Sequence, residues 1–155
     1  MKHITKEGMT KLKEELFYLI TEKRPHAIEE IARAKAHGDL RENAEYDSAK
    51  EEQSKLEIRI KYLEDLQTQL KVIDISSLPK DVVKFGSKVK IVNLKTNKEI
   101  TSQILSDYEA EKANTISILS ETSPVSQAIM DKKTGSVVEV NTPVGLIEYK
   151  VLEII

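Results

Sequence analysis

Residues 31–46, IARAKAHGDLRENAEY, contain the break that decides how the first half of this chain folds. Residues 37–39 lie where one helix would end and another begin, and apolar residues recur at helical intervals on both sides. Thr5 is the expected N-cap of the first helix, and Gly38 is the expected C′ residue. Because the turn is short, the sequence predicts an antiparallel helical hairpin with a narrow tip.

An apolar stripe marks each arm of this hairpin. The first stripe is formed by Leu12, Leu16, Leu19, Ile20, Ala27, Ile28, Ile31 and Ala34, and the second by Leu56, Ile60, Leu63, Leu66, Leu70 and Ile73. Each arm has roughly 30 residues, so at about 1.5 Å per residue it extends on the order of 45 Å. Pro25, next to Arg24, should kink or split the first arm because its ring removes a backbone donor and clashes one turn back.

The pattern changes after Ile73, where apolar residues begin to alternate. We predict an α+β protein with a coiled-coil hairpin at 1–75, its acidic tip at 38–46, a linker at 76–79 and a globular domain at 80–155. The expected strands are Lys88 to Leu94, Glu99 to Leu105, Thr115 to Leu119, Val137 to Val140 and Leu146 to Ile154. One short helix should interrupt them, with Ser123 as its N-cap and Pro124 at its first position.

Composition excludes several classes of function. The net charge is −2 and the pI is about 6.0, so the chain has no global basic field that would hold duplex nucleic acid. It contains no cysteine, which excludes disulfides and thiolate chemistry. The first residues lack the apolar run of a signal peptide, and we expect a cytoplasmic protein without a membrane partner.

Asp39 and Glu42, at the predicted tip, allow two readings. Their spacing is that of a capping box, in which they would satisfy the first donors of the second helix. Carboxylates at an exposed tip can also coordinate a hard cation such as Mg²⁺, which proteins usually hold with one or two carboxylates, waters and phosphates. Two carboxylates alone should bind Mg²⁺ weakly, so the remaining ligands of such a site must come from elsewhere.

The tip segment GDLRENAEY, residues 38–46, followed by Ala49-Lys50-Glu51, resembles the signature of the GreA/GreB family of bacterial transcript-cleavage factors. The likeness is closer to the GreA type, and it extends to 12–16, Arg24-Pro25, 31–34, Ser123-Pro124, 141–145 and 149–154. It implies a coiled coil that enters the secondary channel of RNA polymerase and an FKBP-like C-terminal domain that grips the channel rim.

The resemblance also assigns roles to residues. Asp39 and Glu42 would help to hold the second Mg²⁺ of the polymerase centre, so that the polymerase hydrolyses its own backtracked RNA at the 3′ end. Lys35, Arg41, Tyr46 and Lys50 would lie near this RNA, although each lysine could equally be part of a solvated helix face and Tyr46 could pack inside the hairpin. Ser123 and Pro124 would contact the polymerase. Thr122 departs from family members with an acidic residue there.

Under this reading the protein is a monomer and not an enzyme, and it holds no cofactor stably by itself. Three alternatives stay open. A non-cleaving relative would occupy the same channel, a free-standing hydrolase would use the carboxylates as acid and base, and a coiled-coil scaffold would leave the acidic tip without a role. The spacing of His3, His26 and His37 matches no metal-ligand pattern.

Overall fold

A computed structural model describes residues 2–38 and 43–155, which form two compact units. The hairpin unit comprises residues 9–69, and the sheet unit comprises residues 2–8 together with 70–155. The sequence places the division at residue 75, whereas in the structure both ends of the predicted hairpin segment belong to the sheet unit. None of the helices in the described part of the chain has the length and apolar character needed to cross a bilayer.

The first arm contains α1, Lys6–Tyr18, a π-helical turn, Leu19–Lys23, and α2, Arg24–Lys35. The π turn directly precedes Pro25, where the sequence predicts a disruption. The Arg24 N–H donates to the Leu19 carbonyl five residues back. This wider turn accommodates the proline ring, which would otherwise clash with the preceding turn of an α-helix.

The second arm is α3, Ala44–Gln69. The hairpin unit has an apolar core close to its base, formed by Leu12, Leu16, Ile60, Leu63 and Leu66, each at most 8% exposed. Two interhelical ion pairs accompany this core. The Arg24 guanidinium donates to both carboxylate oxygens of Glu57 at 2.8 and 2.9 Å, and the Arg59 guanidinium donates to Glu15 at 2.9 Å.

The end of the second arm differs from the prediction, in which the helical stripe continues to Ile73. The segment Lys71–Ile73 is strand β2, and it pairs in parallel with strand β1, His3–Thr5, which the sequence reading also missed. Ile73 of β2 continues the helical stripe, but the backbone pairing with β1 determines the conformation. Local pattern cannot reveal a partner 68 residues away.

The larger sheet consists of five strands, all matching predicted ones within a few residues. They are β3, Lys88–Asn93, β4, Glu99–Leu105, β5, Ile118–Ser120, β6, Val137–Thr142, and β7, Gly145–Ile154. The spatial order is β5-β4-β3-β7-β6, antiparallel except between β4 and β5. One face packs around Val89, Ile91, Ile104, Ile129 and Val151, all nearly inaccessible to solvent. The predicted α+β architecture is confirmed.

Two short helices pack on this unit. Helix α5, Pro124–Ile129, is the predicted one, and its N-cap is Ser123. Helix α4, Asp107–Ala113, was missed, although the sequence carries its signal. Ser106 and Glu109 form a complete capping box at its start, and this spacing is a recognised helix beginning.

Glu109 also joins α4 to the start of α1. Thr5 caps α1 as predicted, with its Oγ1 accepting the Gly8 N–H at 2.9 Å, and the same hydroxyl donates to Glu109. Gly8 lies so close to the Glu109 side chain that an added Cβ would overlap the Glu109 carboxylate. A side chain at position 8 would therefore displace a carboxylate that is hydrogen-bonded to both Thr5 and Ser106.

We predict that Gly8→Ala lowers the free energy of unfolding by about 1 kcal/mol, even though this change ordinarily favours a helix. In a Glu109→Ala background the obstruction is gone, so Gly8→Ala should stabilise by about 0.5 kcal/mol or more. Urea unfolding of the four proteins of this double-mutant cycle gives both signs. Stabilisation by Gly8→Ala in the native background would contradict the packing described here.

Candidate functional site

Asn43 joins the two arms beside the tip. Its Oδ1 accepts the Tyr46 N–H at 3.0 Å, and its Nδ2 donates to the Ala34 carbonyl near the end of α2 at 2.6 Å. Asn43 is therefore the N-cap of α3 and at the same time satisfies a terminal carbonyl of the other arm. The capping role that one reading of the tip gave to Asp39 is performed at this helix by Asn43.

The outer part of the hairpin depends on such polar contacts because its inward residues are small. Ala27, Ala34, Ala44 and Ala49 line a groove of about 890 Å³ between α2 and α3. Of the described residues in the two arms between Arg24 and Arg59, only Ala34 is buried. Burying an alanine contributes little compared with the leucines at the base, so among the described residues the hydrogen bond from Asn43 to Ala34 is an important link between the arms at this end.

Asp39, Leu40, Arg41 and Glu42 lie outside the described residues, and the predicted acidic pair is among them. The structure describes the residues on either side. The first arm ends at Lys35 with Ala36 as its C-cap, so the C′ residue is His37 and not Gly38 as predicted; Gly38, with φ of +133°, follows it.

The other predicted RNA-proximal residues lie on the two arms beside this segment. Lys35, the last residue of α2, and Lys50, in the second turn of α3, are exposed. Tyr46 is half-buried, which fits both packing within the hairpin and a partly accessible ring.

The donor set available for a metal is limited. Within residues 2–38 and 43–155 no group of three or more histidine, aspartate or glutamate side chains is arranged to hold an ion. The chemistry of Asp39 and Glu42 fits a hard divalent cation as an incomplete ligand set, which would require ligands from a partner.

The second predicted site, Ser123 and Pro124, begins helix α5. Ser123 is half-buried, and its Oγ accepts the Ser126 N–H at 3.2 Å, whereas Pro124 is exposed. The predicted structural roles of N-cap and first helical residue are confirmed. The exposed proline ring and the preceding loop remain accessible to a partner.

Asp107, which the sequence pattern does not single out, accepts hydrogen bonds from this loop. Its Oδ1 accepts the hydroxyls of Ser120 and of Thr122, the latter at 2.6 Å, and its Oδ2 lies 3.3 Å from Lys2 Nζ. Burial alone would raise the pKa of Asp107, but the hydrogen bonds from Ser120, Thr122 and Lys2 and the charge of Lys2 outweigh it. The pKa of this carboxyl is therefore lowered from its ordinary value.

Comparison with known proteins agrees with this arrangement of hairpin and sheet units. Residues 2–72 match the family described as "Transcription elongation factor, N-terminal", and residues 78–155 match "Transcription elongation factor, GreA/GreB, C-term". Transcription elongation factor GreA of Rhizobium etli (strain CIAT 652) is 48% identical over 152 residues, covering 97% of this chain and 94% of the relative. GreA of Chelativorans sp. (strain BNC1) is also 48% identical, over 97% of this chain and 95% of the relative.

Among solved structures, the GreA factor homolog 1 protein (Gfh1) of Thermus thermophilus is 25% identical, with 99% of this chain and 98% of that chain covered and a TM-score of 0.46. The two matched segments together span nearly the whole sequence. The chain is thus a two-unit transcription elongation factor, and it belongs to the GreA/GreB family.

The double hydrogen bond of Asn43 predicts a graded loss of stability. Asn43→Ser keeps the N-cap but removes the donor to Ala34, so the free energy of unfolding should fall by about 1 kcal/mol. Asn43→Ala removes both contacts and should cost about 2 kcal/mol. Urea unfolding followed by far-ultraviolet circular dichroism measures the difference, and equal stabilities for the native and Ser proteins would contradict the bridge.

Asp107 predicts a dependence of stability on pH. The pKa of this carboxyl is lower in the folded state than its unfolded value of about 3.9, so its stabilising contribution is present above about pH 4. That contribution is lost as the pH falls through the folded-state pKa. The native protein should be more stable than Asp107→Asn at pH 6, and the gap should shrink towards pH 2. A gap that stays constant in urea unfolding across this range would contradict the assignment.

Proposed function

We propose that this protein stimulates the RNA-cleaving activity of bacterial RNA polymerase in complexes that have backtracked. The hairpin would enter the secondary channel, and the sheet unit would bind the rim of that channel. The observation that carries the proposal is the presence of both Asp39 and Glu42 in the tip segment of a chain that matches both GreA/GreB family models. The protein would act in the cytoplasm, as a monomer.

Asp39 and Glu42 would serve as ligands in a site that the polymerase completes. When bound there, Mg²⁺ would stabilise negative charge on the oxygens of the scissile phosphodiester. The two carboxylates would raise the occupancy of this ion and orient a water molecule towards the phosphorus. The contribution of this chain is positional and electrostatic, and the polymerase remains the enzyme.

The arms adjoining the tip fit this role. Lys35 and Lys50 are exposed cations on opposite arms, and Arg41 is next to the acidic pair in sequence. These three cations would attract the extruded RNA by its phosphates, while Tyr46 could stack on a base. Alanines line part of the groove between α2 and α3, and the proposal requires a hairpin narrow enough to occupy a channel.

We predict that Asp39→Asn and Glu42→Gln each reduce stimulated cleavage about 100-fold or more, because each removes one charged ligand. Binding to the polymerase should stay within about twofold, since the rim contacts lie in the other unit. Gel analysis of transcripts from stalled elongation complexes measures cleavage, and competition with labelled native protein measures binding. Glu45→Gln, an exposed carboxylate in the first turn of α3, is the matched control and should retain activity.

The same assay separates the alternatives. Full cleavage by both tip variants would overturn the proposal. Inhibition without cleavage by the native protein would identify a non-cleaving channel-binding factor, and cleavage of naked RNA with Mg²⁺ and no polymerase would identify a free-standing hydrolase. Binding with no effect on transcripts would leave only a scaffold.

A further inference from the structure

The loop of residues 120–123 runs from the last residue of β5 to the N-cap of α5, and hydrogen bonds hold it from two sides. Asp107 receives the hydroxyls of Ser120 and Thr122, and the Thr122 N–H donates to Ser120 Oγ at 3.1 Å. Asp107 itself is tied to the start of the chain through Lys2. The hydroxyls of Ser120 and Thr122 therefore both donate to the carboxylate of Asp107.

Glu121 fastens the loop in another direction, to strand β1. Its Oε2 accepts the His3 N–H at 2.7 Å, and its Oε1 lies 2.8 Å from His3 Nδ1. The Glu121 N–H donates to the Leu105 carbonyl at 2.7 Å. The Ser123 N–H donates to the Ser120 carbonyl at 3.0 Å, which closes the turn. The Glu121 side chain is only 11% exposed, so its bonds to His3 are shielded from water.

These contacts exceed what helix α5 needs in order to begin. Ser123 and Pro124 supply its N-cap and first residue by themselves. Ordering an additional exposed loop costs conformational entropy, and Thr122 remains exposed after making its hydrogen bond. A binding segment that is already ordered before it meets its partner avoids paying that entropy on association.

We infer that Asp107 is a positioning residue for polymerase binding, which holds the 120–123 loop so that Ser123 and Pro124 are presented in one fixed geometry. This inference rests on the proposed function, because it takes the polymerase as the partner of the loop. Asp107 acts through Ser120 and Thr122 and need not contact the polymerase itself. Its effect should therefore appear in the affinity for the polymerase and leave the chemistry at the hairpin tip unchanged.

The test is a titration of stalled elongation complexes with Asp107→Asn and Asp107→Ala. Asparagine keeps one neutral acceptor oxygen, whereas alanine keeps none. The half-saturating concentration should rise about threefold for Asn and about tenfold for Ala, with the maximal cleavage rate at saturation unchanged. Ser120→Ala, which removes a half-buried hydroxyl from the same network, should raise the half-saturating concentration about threefold.

Two controls separate positioning from a general loss of structure. Asp131→Asn removes the negative charge that pairs with Lys84 elsewhere in the sheet unit, at a residue with φ of +64° that asparagine tolerates, and should leave the half-saturating concentration unchanged. Amide hydrogen exchange in the Asp107 variants should accelerate much more at 120–123 than in the core strand β7, which exchanges only through global unfolding. Exchange that accelerates equally in β7 would mean global destabilisation and would overturn the inference.

The outcomes also distinguish the inference from the function on which it rests. If the native protein stimulates cleavage and Asp107→Ala has the native half-saturating concentration, the positioning role fails while the proposed function stands. A fall in maximal rate at unchanged half-saturation likewise overturns positioning. If the native protein neither binds the polymerase nor stimulates cleavage, both fail together.

Discussion

The bridge that Asn43 makes between the two arms is the contact on which the outer hairpin depends. Leucine and isoleucine side chains hold the arms together near the base, but they give way to alanines towards the tip. With so little apolar surface to bury there, the ends of the helices must be closed by hydrogen bonds. One primary amide contributes to both helix ends, because it offers an acceptor to α3 and a donor to the Ala34 carbonyl of α2, which also accepts the His37 N–H.

A hairpin end with little apolar surface suits the proposed function. Asn43, the N-cap of α3, directly follows the segment 39–42 that carries the acidic pair in the sequence. A broad apolar tip would fix the helices more firmly, but it would also need a wider profile. The proposed function requires a narrow element with charged groups at its end, so that the end can enter the channel. Such an end has fewer apolar contacts than a broad one and is therefore less stable.

Much of the architecture follows from sequence because its determinants are local. Helical periodicity, Thr5 as a cap and alternating apolar residues in the second half predict the hairpin and all five strands of the larger sheet. The errors occur where the conformation of a segment depends on residues that are distant in the sequence. Strands β1 and β2 are three residues long, and only their pairing with each other makes them strands. Helix α4 was an error of a different kind, since its Ser106 and Glu109 capping box was readable in the sequence.

The candidate site was predictable to a similar degree. The Ser123 cap and the exposed Pro124 follow from helix-start chemistry, whereas Asp107 acquires its importance only because the fold brings β5 and α4 together. From the sequence alone, Asp107 cannot be distinguished from any other acidic residue in the first turn of a short helix. Asn43 was overlooked because Asp39 offered an equally good cap four residues earlier, and only the observed start of α3 at Ala44 decides between them.

The pairing of β1 with β2 makes the hairpin an insertion within the sheet unit, and this has a consequence for biosynthesis. As the chain leaves the ribosome, residues 9–69 can form their sequence-local helical contacts early. Residues 3–5 must wait until Lys71–Ile73 emerges, and β3 cannot gain its neighbour β7 until the last residues are made. Once the hairpin has folded, β1 and β2 are joined by a short effective connection. The entropic cost of pairing these two strands is therefore smaller than it would be across a disordered chain of the same length.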